Sequence, residues 1–124
     1  MKPGSACRTC HVVGGKASSK SWDIAGTLYP TAHEPDDCYG TNAGGVTVVI
    51  TDANGKDTVL QVNSAGNFWH NDFFGFQPIA KPYKAKVVAG GKVRAMKAAQ
   101  TDGNCNACHT EAGDKNAPGR VMAP

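Results

Sequence analysis

The amino-acid sequence predicts a mainly β chain that folds as a small antiparallel β-sandwich. Its 124 residues fit a single domain. In the middle of the chain, short runs of strand-forming residues recur at regular spacing and are separated by Gly and Asn turns, as is typical of a sandwich. Helical periodicity is weak, and 93–100 is the only helix candidate. We therefore divide the domain 1–124 into an N-terminal segment 1–21, a sandwich 22–100 and a C-terminal segment 101–124, both end segments being irregular.

Six stretches of the sandwich carry the strand pattern. The clearest pair is 46–51 and 58–62, because the first is β-branched almost throughout and Asn54-Gly55 supplies a hairpin turn between them. Gly90-Gly91 supplies a second tight connection. In chain order the predicted strands are 23–29, 46–51, 58–62, 67–70, 83–89 and 92–96.

Composition excludes several functional classes. The net charge of +3 is too small to indicate a nucleic-acid partner. The longest apolar run, Val46 to Ile50, is far too short to span a membrane. The first residues contain no apolar segment typical of a secretory signal, and we expect such a signal to have been removed. What distinguishes the composition is the presence of five Cys and four His in so short a chain.

Four of the cysteines form two Cys-x-x-Cys-His motifs, Cys7-Arg8-Thr9-Cys10-His11 and Cys105-Asn106-Ala107-Cys108-His109. This spacing is the attachment motif of c-type haem. Two thiols form thioethers with the vinyl groups of the porphyrin, and the adjoining His binds the iron from the proximal side. The sequence therefore predicts two covalently attached haem c groups.

Other chemistry uses paired cysteines as well. Two Cys-x-x-Cys pairs can build a Cys₄ zinc site or an iron–sulfur cluster, although neither needs a His after each pair. A redox dithiol normally opens a helix in a βαβ unit, for which the sequence gives no pattern. Disulfides are a further alternative in an extracellular chain.

The histidine count matches the number of axial positions on two haems. His11 and His109 belong to the motifs, which leaves His33 and His70 as the predicted distal ligands. Bis-histidine ligation favours a low potential and leaves no open site for substrate, so we expect electron transfer and no enzymatic activity. Among the methionines Met1, Met96 and Met122, the best alternative ligand is Met96.

Cys38 is the fifth cysteine and lies outside both motifs, beside Asp36 and Asp37. We weigh two interpretations: a partly buried free thiol, or a bridge to another molecule in an oxidising compartment. The neighbouring carboxylates disfavour a thiolate, so a reactive nucleophile is not expected.

The sequence resembles the carboxypeptidase-regulatory-like, transthyretin-like β-sandwich family. The resemblance is carried by one stretch, from 45–55 through 63–68, in which Asn63-Ser64 stands in place of the usual Thr-Asp. The stretch 25–38 resembles the opening strand and loop of small bacterial cytochromes that carry this sandwich. The stretches 103–111 and 117–121 resemble their haem segment. Together these cover most of 22–124, and the motif at 7–11 is an addition outside the sandwich.

The resemblance implies a transthyretin- or Ig-like sandwich with haem-binding segments at both termini. The architecture is also similar to multihaem cytochromes that polymerise into extracellular conducting filaments. With attachment sites near opposite ends of the subunit, a head-to-tail assembly of identical copies would be heterologous and open, which generates a filament. We expect His33, in a Pro-rich loop, to be the distal ligand more easily donated to a neighbour.

The sequence therefore predicts a dihaem c-type cytochrome that carries electrons outside the cytoplasm, in the periplasm or the extracellular space. Its expected partners are other copies of itself and redox proteins. The main alternative is a monomeric shuttle that docks through the Lys-rich face 81–97, which holds six basic residues and no acid. Two further alternatives are an enzyme with one open haem and a binding domain stapled by zinc or disulfides.

Overall fold

The structure, a computed structural model, describes residues 3–42 and 44–124, so Met1 lies outside the described residues. The described residues form two sheets, a short α-helix and two 3₁₀ turns. The strands are β1 (Trp22–Tyr29), β2 (Thr47–Thr51), β3 (Asp57–Gln61), β4 (Asn67–Asn71), β5 (Lys84–Ala89), β6 (Lys92–Ala95) and β7 (Val121–Met122). The helix is α1 (Cys105–Cys108), and the 3₁₀ turns are Cys7–Thr9 and Ser18–Lys20.

The strands form the two sheets of a β-sandwich, as predicted. One sheet has the order β4-β1-β7 and the other the order β3-β2-β5-β6. Every pairing in the four-stranded sheet is antiparallel. In the three-stranded sheet β4 runs antiparallel to β1, whereas β7 runs parallel to it.

The core lies where the two sheets face each other. Ile24 and Leu28 of β1 meet Val48 and Ile50 of β2 there, and all four side chains are almost completely buried. Removal of this apolar surface from water is the main force that holds the sheets together. The other buried members of the core are Val46, Leu60, Val62, Phe68, Ile79, Tyr83 and Val87.

The hairpin between β5 and β6 decides the conformation of the only predicted helix candidate, 93–100. Gly90 and Gly91 have φ of +54° and +76°, the backbone of a two-residue turn that joins antiparallel strands. Val88 therefore pairs with Val93, and the chain continues as strand β6. The helix candidate does not form and the predicted strand 92–96 is confirmed as β6, because alternation of Lys92, Val93 and Arg94 after this turn fits a strand at the sheet edge.

The C-terminal segment takes part in the sandwich, which the boundary at residue 100 did not anticipate. Strand β7 extends the β1 sheet, and Asn104 forms a single bridge with Ala25. The helix α1 is one turn long. Within the described ranges, no helix has the length and apolar character needed to cross a membrane.

Candidate haem-binding site

The N-terminal motif forms a tight turn at the start of β1. The His11 amide donates to the Cys7 carbonyl at 3.1 Å, which brings the first Cys and the His of the motif into one turn. The Trp22 amide donates to the His11 carbonyl at 3.0 Å, and the Arg8 Nε donates to the Trp22 carbonyl at 2.9 Å. Strand β1 therefore holds this motif through backbone groups at its first residue.

The C-terminal motif forms an equivalent turn in α1. The His109 amide donates to the Cys105 carbonyl at 2.9 Å. Residues at positions i, i+3 and i+4 of such a turn lie on one side of it. Both motifs therefore place their two cysteines and their histidine within one turn of the backbone, at the spacing typical of covalent haem attachment.

Gly103 lets the C-terminal motif lie directly against β1. The Ala25 amide donates to the Gly103 carbonyl at 2.9 Å, and a Cβ at Gly103 would lie 1.7 Å from the Asp23 carbonyl oxygen. Only glycine fits so close to another backbone. The approach fixes Cys105 two residues further on, where its side chain packs against the hydrophobic core.

The two motifs are neighbours in space, although 93 residues lie between the last residue of one and the first of the other. The buried side chain of Asn106 makes the link. Its Nδ2 lies 3.0 Å from the Ser5 carbonyl and 3.7 Å from Cys7 Sγ, and its Oδ1 accepts the Thr27 amide at 3.0 Å. The Arg8 amide also donates to Asn104 Oδ1 at 3.4 Å.

This placement corrects the expectation that the haem segments extend from opposite ends of the subunit. Both segments dock on β1, the first at Trp22 and the second from Ala25 to Thr27. The termini of a sandwich chain meet in this way because the edge of β1 away from β4 needs hydrogen-bond partners, and the end segments supply them.

The proximal histidines are both fixed through Nδ1. His11 Nδ1 lies 3.0 Å from the Lys20 carbonyl, and His109 Nδ1 lies 2.8 Å from the Gly119 carbonyl. A carbonyl oxygen only accepts hydrogen bonds, so Nδ1 carries the proton and Nε2 carries the lone pair. Nε2 is thus the nitrogen available to an iron, and the hydrogen bond fixes the plane of the ring.

The predicted distal histidines show the same pattern. His33 Nδ1 lies 2.7 Å from the Glu111 carbonyl, and His70 Nδ1 lies 2.7 Å from the carboxylate of Asp23. All four histidines therefore use Nδ1 for a hydrogen bond to an acceptor. His33 lies beside the C-terminal segment, whereas His70 lies on β4 opposite the start of β1.

The loop that carries His33 is tied to its own chain. The Arg120 amide donates to the Ala32 carbonyl at 2.8 Å, and the buried Arg120 guanidinium pairs with Asp37 at 2.5 Å. The same guanidinium lies 4.4 Å above the Tyr29 ring. The buried Arg120 guanidinium holds the loop in place, because a buried cation is costly without its partners. His33 is therefore less easily donated to a neighbouring subunit than expected.

An aromatic stack lies behind the N-terminal motif. The His11 and Trp22 ring centroids are 3.6 Å apart at an interplanar angle of 11°. Trp69 also stacks on Trp22, with 5.1 Å between their ring centroids. Trp22 is buried, whereas Trp69 is partly exposed. The stack supports the imidazole of His11 against rotation. No sequence pattern indicates this stack, because the three rings come together only when β1 pairs with β4.

The first thiol of each motif is unlike that of a redox dithiol. Burial raises the pKa of Cys105 to about 12, with a smaller contribution from the nearby Cys7, and burial also raises the pKa of Cys7. Reactive Cys-x-x-Cys pairs have lowered values, because their thiolate is the nucleophile. In residues 3–42 and 44–124, no three His, Cys, Asp or Glu side chains are grouped as ligands for one bare ion. Haem iron takes only two ligands from the protein and needs no such group.

The alternative ligands and the odd cysteine lie elsewhere. Met96 follows β6 in the four-stranded sheet, where its amide donates to the Ala85 carbonyl at 2.9 Å. Met122 pairs with Tyr29 in β7. Cys38 is exposed, so the expectation of a partly buried thiol is wrong. The loop around it is polar and turns outward, with the Cys38 amide donating to Asp36 at 2.8 Å.

A loop of exposed aromatic side chains follows His70. Phe73, Phe74 and Phe76 are 55%, 57% and 86% exposed, and the first two have positive φ. The loop begins beside the N-terminal motif, because Ser21 donates to Asp72 at 3.2 Å. Exposed apolar side chains of this kind mark a surface that a ligand or partner covers. The sequence contains three Phe in four residues, but composition alone does not show that their side chains face solvent.

The residues of both motifs therefore fit covalently attached haem in backbone geometry and in the tautomer of the histidine. Comparisons with protein families, with curated proteins and with solved structures found no match. The assignment depends on the residues of this chain alone.

Replacement of Asn106 by Ala is expected to destabilise the contact between the two motifs. The change leaves the buried Thr27 amide without its acceptor, which costs about 1–3 kcal/mol in the free energy of unfolding. Denaturant unfolding measures this cost. Asn54→Ala, at an exposed turn position, is the matched control and is expected to change stability by less than about 0.5 kcal/mol. Equal effects of the two variants would contradict a special role for Asn106.

Proposed function

We propose that this protein is a dihaem c-type cytochrome that transfers electrons outside the cytoplasm, in the periplasm or the extracellular space. Cys7 and Cys10 would attach one haem c and Cys105 and Cys108 the other. His11 and His109 would be proximal ligands, with His33 and His70 on the distal sides. The observation that carries the proposal is the shared geometry of the four imidazoles, each of which hydrogen-bonds through Nδ1 and leaves Nε2 for iron.

The ligand set favours electron transfer over catalysis. When bound, haem supplies an iron that alternates between the ferric and ferrous states. Four histidines would supply two ligands to each of two irons and would leave no coordination site open for a substrate. Hydrogen bonds at Nδ1 hold the ligands in place, so little reorganisation accompanies a change in oxidation state. We therefore propose an electron carrier with low-spin, low-potential haems and no enzymatic activity.

We also propose membership of the carboxypeptidase-regulatory-like, transthyretin-like sandwich family. Support comes from the hairpin of β2 and β3, which falls within the stretch that carries the resemblance, and from the two-sheet architecture. The sandwich would act as the scaffold. Its strand β1 holds both haem-binding turns.

The proximity of the motifs favours electron transfer between two haems of one subunit. Asn106 Nδ2 of the second motif lies 3.7 Å from Cys7 Sγ of the first. Cys7 is itself a proposed attachment point, and Asn106 directly follows another, Cys105. A relay requires redox centres close to contact. Two attachment turns that touch meet this requirement without a second subunit.

The positions of the two motifs give a head-to-tail filament less support than the sequence did. The filament scheme assumed attachment sites at opposite ends, whereas the two Cys-x-x-Cys-His motifs lie side by side on β1. The monomeric shuttle is favoured by exposed basic side chains at Lys84, Lys92 and Arg94 in β5 and β6. Such a face steers an acidic redox partner and makes its association rate fall with salt.

At high concentration we expect the holoprotein to sediment as single subunits or small closed oligomers. The reason is that one chain already brings two attachment sites together and has no need of a neighbour to complete a relay. Sedimentation velocity and negative-stain microscopy measure the assembly state. Long filaments would contradict the monomeric shuttle and support the head-to-tail filament.

Removal of one attachment site should leave the other haem in place. The double replacement Cys105→Ala and Cys108→Ala is expected to lower the mass of the purified protein by one haem group, and Cys7→Ala with Cys10→Ala should do the same. Intact-protein mass spectrometry gives the count after expression with haem-attachment machinery. Cys38→Ala is the control and should keep both haems. A wild-type protein without covalent haem would contradict the proposed function.

Replacement of a distal ligand should change the spin state of one haem only. We expect His33→Ala and His70→Ala each to convert one of two low-spin haems to high spin, because the iron loses its sixth ligand. Absorption and electron paramagnetic resonance spectra measure the conversion. Met96→Leu is the control and should leave both haems low-spin. An unchanged spectrum would remove that histidine from the ligand set.

A further inference from the structure

The four proposed axial histidines differ in one respect. His11, His33 and His109 each face a backbone carbonyl, which is a neutral acceptor. His70 faces the carboxylate of Asp23, with 2.7 Å between Nδ1 and Oδ1. An ionised acceptor forms a stronger hydrogen bond than a neutral one. His70 is therefore the one proposed ligand whose hydrogen-bond acceptor is a carboxylate and not a backbone carbonyl.

Asp23 is held in place by the fold. Its side chain is 5% exposed, and its second oxygen accepts the Ile79 amide at 2.5 Å. Its position is defined by an irregularity in the pairing of β1 with β4 between Trp22 and Ile24. The pairing places His70 opposite Ile24, next to the carboxylate. Neither oxygen of Asp23 depends on bulk water for a partner.

A buried carboxylate strengthens the imidazole as a ligand. It attracts the Nδ1 proton, which increases the electron density on Nε2 and makes that nitrogen a better donor to metal. A stronger donor stabilises ferric iron more than ferrous iron, and this lowers the reduction potential. The hydrogen bond between Asp23 and His70 stays strong because Asp23 is buried, in surroundings of low dielectric constant.

We propose that Asp23 is a positioning residue that acts through His70 to make the two haem sites unequal in potential. The inference rests on the proposed function, since it requires His70 to be an axial ligand. The site that includes His70 has the lower potential, and the site whose ligands all face backbone carbonyls has the higher one. The polypeptide thereby gives a direction to a single electron that moves between the two sites, with no proton or covalent bond exchanged.

The first test compares Asp23→Asn with wild type in a spectroelectrochemical titration of the holoprotein. The asparagine keeps the size and an acceptor oxygen but removes the charge. We expect the lower of the two midpoint potentials to move upward and the higher one to stay in place. Both haems should remain low-spin, which separates a tuning role from loss of the ligand.

The matched control is Asp72→Asn. Asp72 is also buried, lies two residues after His70 and hydrogen-bonds Ser21 at 3.2 Å rather than a histidine. Removal of its charge tests the general electrostatic effect of a buried carboxylate at this end of the sheet. Equal shifts in the two variants, or no shift in Asp23→Asn, would overturn the proposal.

A second variant and a second measurement cover the case in which Asp23→Asn does not fold. Asp23→Glu keeps the carboxylate and should retain the lower potential better than Asp23→Ser. Electron paramagnetic resonance of the oxidised wild type should show two inequivalent low-spin signals, and identical signals would count against the inference. Absence of covalent haem would reject the proposed function itself. Two low-spin haems that respond equally to Asp23→Asn and Asp72→Asn would reject only the role of Asp23.

Discussion

The hydrogen bonds along the edge of β1 opposite β4 determine the arrangement of the rest of the molecule. Strand β1 is buried along its whole length, so its backbone amides have little access to water. Unpaired amides in such a position are costly. Gly103 pairs with the amide of Ala25, Asn106 pairs with that of Thr27, and β7 completes the edge at Leu28 and Tyr29. The C-terminal segment is therefore part of the sheet.

The position of the two Cys-x-x-Cys-His motifs follows from this edge. Because the C-terminal segment must run along β1, the turn of α1 lies beside the residues that precede β1. The N-terminal motif is anchored at Trp22 and reaches Asn106 from the other side. The histidines are then oriented by backbone carbonyls of the same segments, with Asp23 as the one side-chain acceptor. Scaffold and site share the same hydrogen bonds.

The sequence was informative where local patterns decide the structure. The strands of the sandwich lie within one or two residues of their predicted limits, because β-branched runs and Gly or Asn turns act over short distances. The weak helix signal at 93–100 conflicted with the predicted strand 92–96, and the Gly90-Gly91 turn decides for the strand β6. Asp23, Trp22 and Asn106 were not recognised as parts of a site. Their partners lie 11 to 101 residues away, and no local spacing links them.

By itself the sequence determined the β-sandwich class and the residues that make up the two Cys-x-x-Cys-His motifs, because both depend on patterns a few residues long. It also supplied the four histidines as a set. Only the tertiary structure decided that the motifs touch, that His33 is tied to its own C-terminal segment and that His70 alone faces a carboxylate. These features arise from pairing along β1, and pairing between distant strands depends on the packing and hydrogen bonding of the whole chain.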